Sequence, residues 1–202
     1  MMPATVHPAS AGTDDDARLI ERLRLGDETA FETLYHRHSP VMLRFARRMG
    51  ASRSTAEDVV HDVFMALLRQ LHRYDPNRGP LTAYLFTILR RHVWRLRTRA
   101  ETSDPPPSAA KEATRIDSDP HATAARAETV RFVRDAVKRL PFEYREAVVL
   151  CDLEGFDYQT AAQIIGRPIG TIRSRLFRGR RLLLEALAPA FIGSERRQRW
   201  GG

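Results

Sequence analysis

The chain has 202 residues, 43% of them hydrophobic and 29% charged, and a formal net charge of +8. That apolar content suffices for one moderate core or two small ones, and the excess of cations favours a polyanionic partner, since each phosphate neutralised releases counterions. A single cysteine, Cys151, excludes an intramolecular disulfide and a cysteine-rich zinc site, and no apolar run is long enough to cross a bilayer.

Residues 1–13 read as a disordered tail with no apolar signal-peptide core, so a cytoplasmic location is expected. The only dense acidic cluster, Asp14, Asp15 and Asp16, falls in a segment expected to fray. Residues 14–99 then carry helical patterning, nearly free of proline before Pro76. Ser54-Thr55-Ala56-Glu57 has the form of a capping box, with Ser54 as the cap and Glu57 reaching back to it. Behind it Val60, Phe64, Leu67 and Leu71 make an inward stripe, flanked by Val59, Val63 and Leu68. The acids Glu57, Asp58 and Asp62 suit the positive end of the helix dipole, which accounts for them without a partner. Residues 72–80 are rich in turn formers and lead into a helix over 81–99 whose second half is basic. Tyr84, Phe86 and Trp94 are interleaved with its arginines, a pattern suited to stacking unpaired bases. Aromatics at helical spacing also build cores. Phe86 is assigned to the core, and Tyr84 and Trp94 stay open between the two roles.

Residues 100–122, with Pro105, Pro106 and Pro107, cannot sustain an apolar face and read as a flexible linker. A second helical block spans 123–187, and 188–202 reads as a loose basic tail. Within that block, Ala161, Ala162, Ile164 and Ile165 give one short helix a small-residue face. Gly166 supplies the freedom of a tight turn, and Pro168 suits the first turn of the next helix. There Ile172, Leu176 and Leu183 face inward, which leaves Arg173, Ser174, Arg175, Phe177 and Arg178 outward. This is a helix-turn-helix shaped for the major groove, where arginine can bond guanine edges; a solvated basic face is the bland alternative. Cys151 sits among Val148, Val149 and Leu150 and reads as a small buried hydrophobe. The expected fold is all-α: two small helical domains joined by a flexible linker, the C-terminal one containing the helix-turn-helix. The seven histidines are scattered, and no catalytic site, metal or cofactor is expected.

Four segments in order carry a family resemblance: Ala56-Glu57-Asp58-Val59-Val60-His61-Asp62-Val63-Phe64, Arg73-Tyr74-Asp75-Pro76-Asn77-Arg78-Gly79, the run from Leu140 to Leu150, and Gly170-Thr171-Ile172-Arg173-Ser174-Arg175-Leu176. Together they resemble the bacterial sigma factors of the extracytoplasmic-function group. The resemblance implies an initiation subunit that binds core RNA polymerase through the clamp helices of its largest subunit and through the flap. It implies recognition of promoter DNA, single-stranded at the −10 element and duplex at the −35 element. By position, Asp58, Asp62, Phe64, Leu67 and Arg69 would meet polymerase. Asn77, Arg78, Tyr84, Arg90, Arg91, Trp94 and Arg97 would meet the −10 element, and Thr171, Arg173, Ser174, Arg175, Phe177 and Arg178 the −35 element. An anti-sigma protein is the implied inhibitor, and the linker would thread polymerase channels. The pattern departs from the family at His61, where glutamine is common, at Tyr84, where tryptophan is frequent, and at Arg91 and Arg95, where asparagine and aspartate are common. Base preference at the −10 element therefore does not transfer. A stand-alone helix-turn-helix regulator is the alternative, but it leaves the acidic helix and the aromatic-basic helix without a role. A nucleic-acid enzyme would need clustered carboxylates or an activated nucleophile.

Overall fold

The computed structural model describes residues 13–102 and 124–199, with side chains for 15–99 and 129–188. The linker expected at 100–122 thus lies almost wholly outside the described residues, as do residues 1–12 and 200–202. Among the described residues every regular element is helical.

Helix α1 (Thr13–Arg24) begins on the acidic cluster, and the expectation that it frays is corrected. Arg37 holds Asp16 at 2.6 Å and Asp15 at 2.5 Å, while His38 Nε2 lies 3.0 Å from the second Asp16 oxygen without hydrogen-bond alignment. A guanidinium fork that satisfies two carboxylates is the reason acids can begin a docked helix. At the next turn Gly26 takes a positive φ of 86° and Asp27 caps α2 (Glu28–Arg48), accepting from the Thr29 N–H and hydroxyl. Hydrogen bonds from Thr29 and Arg22 hold the Asp27 carboxyl down at about 2.

Helix α3 (Arg53–Arg69) starts two residues earlier than the capping box implied. Ser52, not Ser54, caps it by accepting from the Thr55 N–H at 3.1 Å, and Glu57 pairs with Arg53 instead of reaching back. The serine next to the turn wins because its backbone is already extended (φ −63°, ψ 171°), as a cap requires. Two 3₁₀ turns, Leu71–Arg73 and Pro76–Arg78, lead to α4 (Leu81–Thr102). The N-terminal body closes over Leu34, Met42, Phe45, Val60, Phe64, Leu67, Leu85 and Phe86, all essentially inaccessible.

The C-terminal body holds α5 (Ala124–Arg139), α6 (Phe142–Val148) running into a π-helical turn (Val149–Leu153), α7 (Tyr158–Ile165) and α8 (Ile169–Arg199). The last helix passes the expected boundary at residue 187. The two bodies share one continuous core. Phe86 of α4 meets Phe156 edge-on at 4.8 Å, Arg145 donates to the Met49 carbonyl at 3.1 Å, and α7 crosses α4. Helical periodicity marks which face of a helix is apolar but not what covers it, so this seam was not foreseen.

Candidate nucleic-acid interface

The loop before α4 builds a cavity of about 290 Å³. Tyr74 is buried beneath it, anchored where Arg24 donates to its carbonyl at 2.9 Å, and Tyr84 leans on it with ring centroids 5.5 Å apart. Asp75 caps the Pro76–Arg78 turn, accepting from the Asn77 N–H at 2.9 Å and its amide at 3.1 Å, so the Asn77 side chain is held in place. Gly79 has a φ of 144°, which a side chain would strain. Arg73 and Arg78 make the rim basic, and Gln163 of α7 completes the wall. Sequence reasoning singled out Asn77, Arg78 and Tyr84 but not Arg73, Tyr74 or Gln163. The first two lie inside a quoted motif, whereas nothing in the sequence points to Gln163.

Along α4, Arg91 and Trp94 are exposed. Arg90 is not free for DNA in this conformation: it is turned into the seam and bonds Glu146, with one contact at 3.3 Å and a closer one through Nε. Arg97 lies over the Phe142 ring at 4.7 Å. On α3, Asp58, Asp62 and Arg69 are exposed beside Met65 and Leu68, and Asp62 is 3.8 Å from His92 Nδ1. Phe64 and Leu67, expected at a partner surface, lie in the core and are corrected: they hold α3 against the body and leave the polar face outward.

The helix-turn-helix forms as its punctuation requires. Asp157 caps α7, accepting from the Thr160 N–H and hydroxyl, both at 2.8 Å. Gly166 ends the helix in the left-handed region at φ 68°, and the Pro168 carbonyl accepts from Thr171 and Ile172, so the proline precedes α8 and does not sit in its first turn. Arg173, Ser174, Phe177 and Arg178 point outward, while Thr171 is half-buried and accepts from the Ser174 hydroxyl through its carbonyl at 2.9 Å. Arg175, expected outward with them, is drawn inward to 4.0 Å from Glu146. That carboxylate is buried, as is Glu154, which binds Arg44 and Arg48 of α2. Burial pushes both carboxyls above their ordinary range, and the arginines oppose the shift. Burial likewise pushes the Cys151 thiol up to about 12, which disfavours the nucleophilic thiolate at neutral pH.

Asp157→Ala should remove about 1 kcal/mol from the stability of the C-terminal body, read by thermal melting. Burial pushes the Asp157 carboxyl up, but the hydrogen bonds from Thr160 and Gln159 outweigh it and hold it low. Its contribution is therefore present at neutral pH and is lost as the pH falls through that depressed value, so the two chains should converge in strong acid.

Two helical bodies, one presenting an arginine-studded helix after a glycine turn and the other a basic-rimmed aromatic cavity, define a DNA-binding factor. The family model for sigma-70 region 2 matches residues 34–102, and that for sigma-70 region 4 matches 133–183. Among curated relatives, the RNA polymerase sigma factor CarQ of Myxococcus xanthus is 33% identical over 178 residues, 83% of this chain and 95% of that protein. The ECF sigma factor SigE of Mycolicibacterium smegmatis is 30% identical, the match spanning 81% of this chain and 65% of the relative. Among solved structures, CnrH in complex with the cytosolic domain of CnrY is similar with a TM-score of 0.65 and 27% identity over 87% of this chain and 97% of that one. RpoE of Bartonella quintana, in complex with the anti-sigma factor NepR, has a TM-score of 0.61 and 28% identity over 78% and 96%. The chain belongs to the sigma-70 family and is an extracytoplasmic-function sigma factor. As such it binds core RNA polymerase, recognises the −35 and −10 promoter elements and helps melt DNA to initiate transcription. No described helix is long and apolar enough to cross a membrane.

Proposed function

We propose that the work of this sigma factor divides by surface. The exposed face of α3, with Asp58, Asp62 and Arg69 around Met65 and Leu68, docks on polymerase. The cavity floored by Tyr74 and Tyr84 receives a base flipped from the non-template strand, with Arg73 and Arg78 at the phosphates and Asn77 fixed at the rim. Arg91 and Trp94 continue that track along α4, joined by Arg90 and Arg97 once they leave the seam. The outward residues of α8, Arg173, Ser174, Phe177 and Arg178, enter the major groove of the −35 element, with Thr171 at the helix start and Arg175 following when released.

The observation that carries this reading is the cavity: an aromatic floor with a cationic rim in the one loop that precedes the basic helix. Extracting a base costs a few kcal/mol, so a pocket that recovers this only for the right base reads sequence and drives melting in one step. The chain does no chemistry of its own; nucleotide addition belongs to the polymerase, in the cytoplasm. An anti-sigma protein is the proposed regulator, since both structural neighbours were captured with partner proteins, NepR being named an anti-sigma factor.

Reconstitution with bacterial core polymerase tests the reading. Promoter-specific open complexes are expected, and duplex binding without polymerase would instead favour a stand-alone regulator. Within it, Arg173→Ala should weaken recognition of the −35 element by about 1–3 kcal/mol if the guanidinium bonds a base edge. An equal loss on scrambled upstream DNA would restrict Arg173 to phosphate contact.

A further inference from the structure

The loop that carries the base cavity is fastened at its start by a helix to which the functional reading gives no task. Arg24 closes α1, and its Nη2 donates to the Tyr74 carbonyl at 2.9 Å and to the Leu71 carbonyl at 3.3 Å, 50 and 47 residues further along the chain. Leu71 opens the 3₁₀ turn ahead of the cavity, and Tyr74 follows it. The turn's own closing bond, from the Tyr74 N–H to the Leu71 carbonyl, is long at 3.4 Å, so Arg24 supplies the hold that the turn lacks. Glu21 in turn holds Arg24 Nη1 at 2.5 Å and aims the guanidinium.

Immobilising the Tyr74 carbonyl immobilises the peptide that joins Tyr74 to Asp75. On one side of that peptide the Tyr74 ring forms the cavity floor, and its hydroxyl donates to the Gly79 carbonyl at 3.4 Å. On the other side Asp75 caps the turn that holds Asn77. The loop is thus pinned at its start by Arg24 and tied across the cavity by Tyr74, with Asn77 and Arg78 between. Helix α1 is firm enough to serve as the anchor: Leu19 and Ile20 lie in the core, Arg37 holds Asp15 and Asp16 near its start, and Arg22 pairs with Asp27 at 2.8 Å just past its end.

We infer that Arg24 is a positioning residue for promoter melting: it clamps the base-capturing loop from α1, so that the floor and rim of the cavity are in place before DNA arrives. This rests on the assignment of the cavity to a flipped base. A loop ordered in advance loses none of the binding free energy to its own ordering, and a base reader displaced by a fraction of an ångström loses its hydrogen bonds. Arg24 stands close to a basic rim, yet both its terminal nitrogens are engaged within the chain, so it acts through the loop and not on a phosphate.

The test uses the full-length chain with core polymerase. A fluorescent purine analogue that brightens on unstacking is placed at each −10 non-template position in turn, which locates the captured base; a second promoter carries an abasic sugar at that position. On the intact promoter Arg24→Ala should lower open-complex affinity at least about tenfold, near the loss of one charge-assisted hydrogen bond, and the brightening should fall with it. On the abasic promoter the two chains should bind alike, because there is no base left to place. Affinity for core polymerase and for a −35 duplex should be unaltered. Arg24→Lys keeps the charge but presents a compact ammonium without the planar fork, and should recover only part of the loss. Circular dichroism checks the fold of each variant, and Arg24→Lys gives the answer if Arg24→Ala does not fold. An equal loss on intact and abasic promoters, or full recovery by Arg24→Lys, would overturn the positioning role. So would a fall of about 0.7 in the salt dependence of binding to a single-stranded −10 oligonucleotide, the mark of a lost phosphate contact. An unaltered chain that bound intact and abasic promoters equally would overturn the assignment of the cavity itself, and that result is read without any Arg24 variant.

Discussion

Phe86→Ala is expected to cost the chain about 3–5 kcal/mol of stability, because the ring is wholly buried and its removal leaves a cavity that surrounding helices cannot fill. The ring has two neighbours of different kinds. Phe45 of α2 meets it at 5.3 Å within the N-terminal body, and Phe156 meets it at 4.8 Å from the C-terminal body. Truncation therefore strikes the core of one body and its contact with the other. Urea unfolding followed by circular dichroism should show the midpoint falling, and the double variant with Phe156→Ala should show a coupling energy of about 0.5–1.5 kcal/mol, the size expected of an edge-to-face pair. A coupling near zero would mean that the bodies do not share their aromatic contact in solution, even if Phe86 proved essential to its own body.

The elements that were legible in the sequence are those whose evidence is local. Val59, Val60, Val63, Phe64 and Leu67 fall on one face at helical spacing and are buried as that spacing requires; Gly166 ends α7 in the left-handed conformation that a helix-turn-helix needs. Phe86 was legible because a long apolar stripe surrounds it. What the sequence concealed depends on residues far apart in the chain. Asp16 looks like part of a solvated cluster until Arg37, on the next helix, arrives to bond it. Ser52 and Ser54 are equivalent caps by composition, and the path of the turn after Gly50 chooses between them.

The candidate site divides along the same line. Asp58, Arg91, Arg173 and Phe177 lie on faces that periodicity leaves outward, and they are outward; Trp94, open between core and surface in the sequence, is outward too. Phe64 and Leu67 were assigned to a partner through the family's docking helix, although their own spacing places them inside; the spacing was the better guide. Arg90 and Arg175 are drawn from their expected surfaces by one glutamate, 56 residues beyond the first in sequence and 29 before the second. No local pattern encodes that distance.

Gly179 shows how far such a contact can matter, since nothing in its neighbourhood of arginines draws notice. It is buried midway along α8, where the helix crosses α6, and a Cβ there would lie 2.8 Å from Val148 Cγ2 and 3.4 Å from both Cβ and the carbonyl oxygen of Tyr144. In an exposed helix, alanine would be better than glycine by about 1 kcal/mol. Here the obstruction outweighs that gain: Val148 is buried and β-branched, which leaves its χ1 little freedom in a helix, and the Tyr144 oxygen is backbone. Gly179→Ala should therefore lower the melting temperature despite its higher helix propensity, and Gly179→Val should cost about 1–3 kcal/mol or more through overpacking. Relief comes most readily by moving α8 away from α6, which carries Arg173, Ser174, Phe177 and Arg178 with it. Discrimination between a −35 duplex and scrambled DNA should fall further than stability does, while −10 strand binding by the N-terminal body is kept. A Gly179→Ala chain that melted higher and read the −35 element unchanged would show that α6 and α8 are not in the close contact on which the aim of the recognition helix depends.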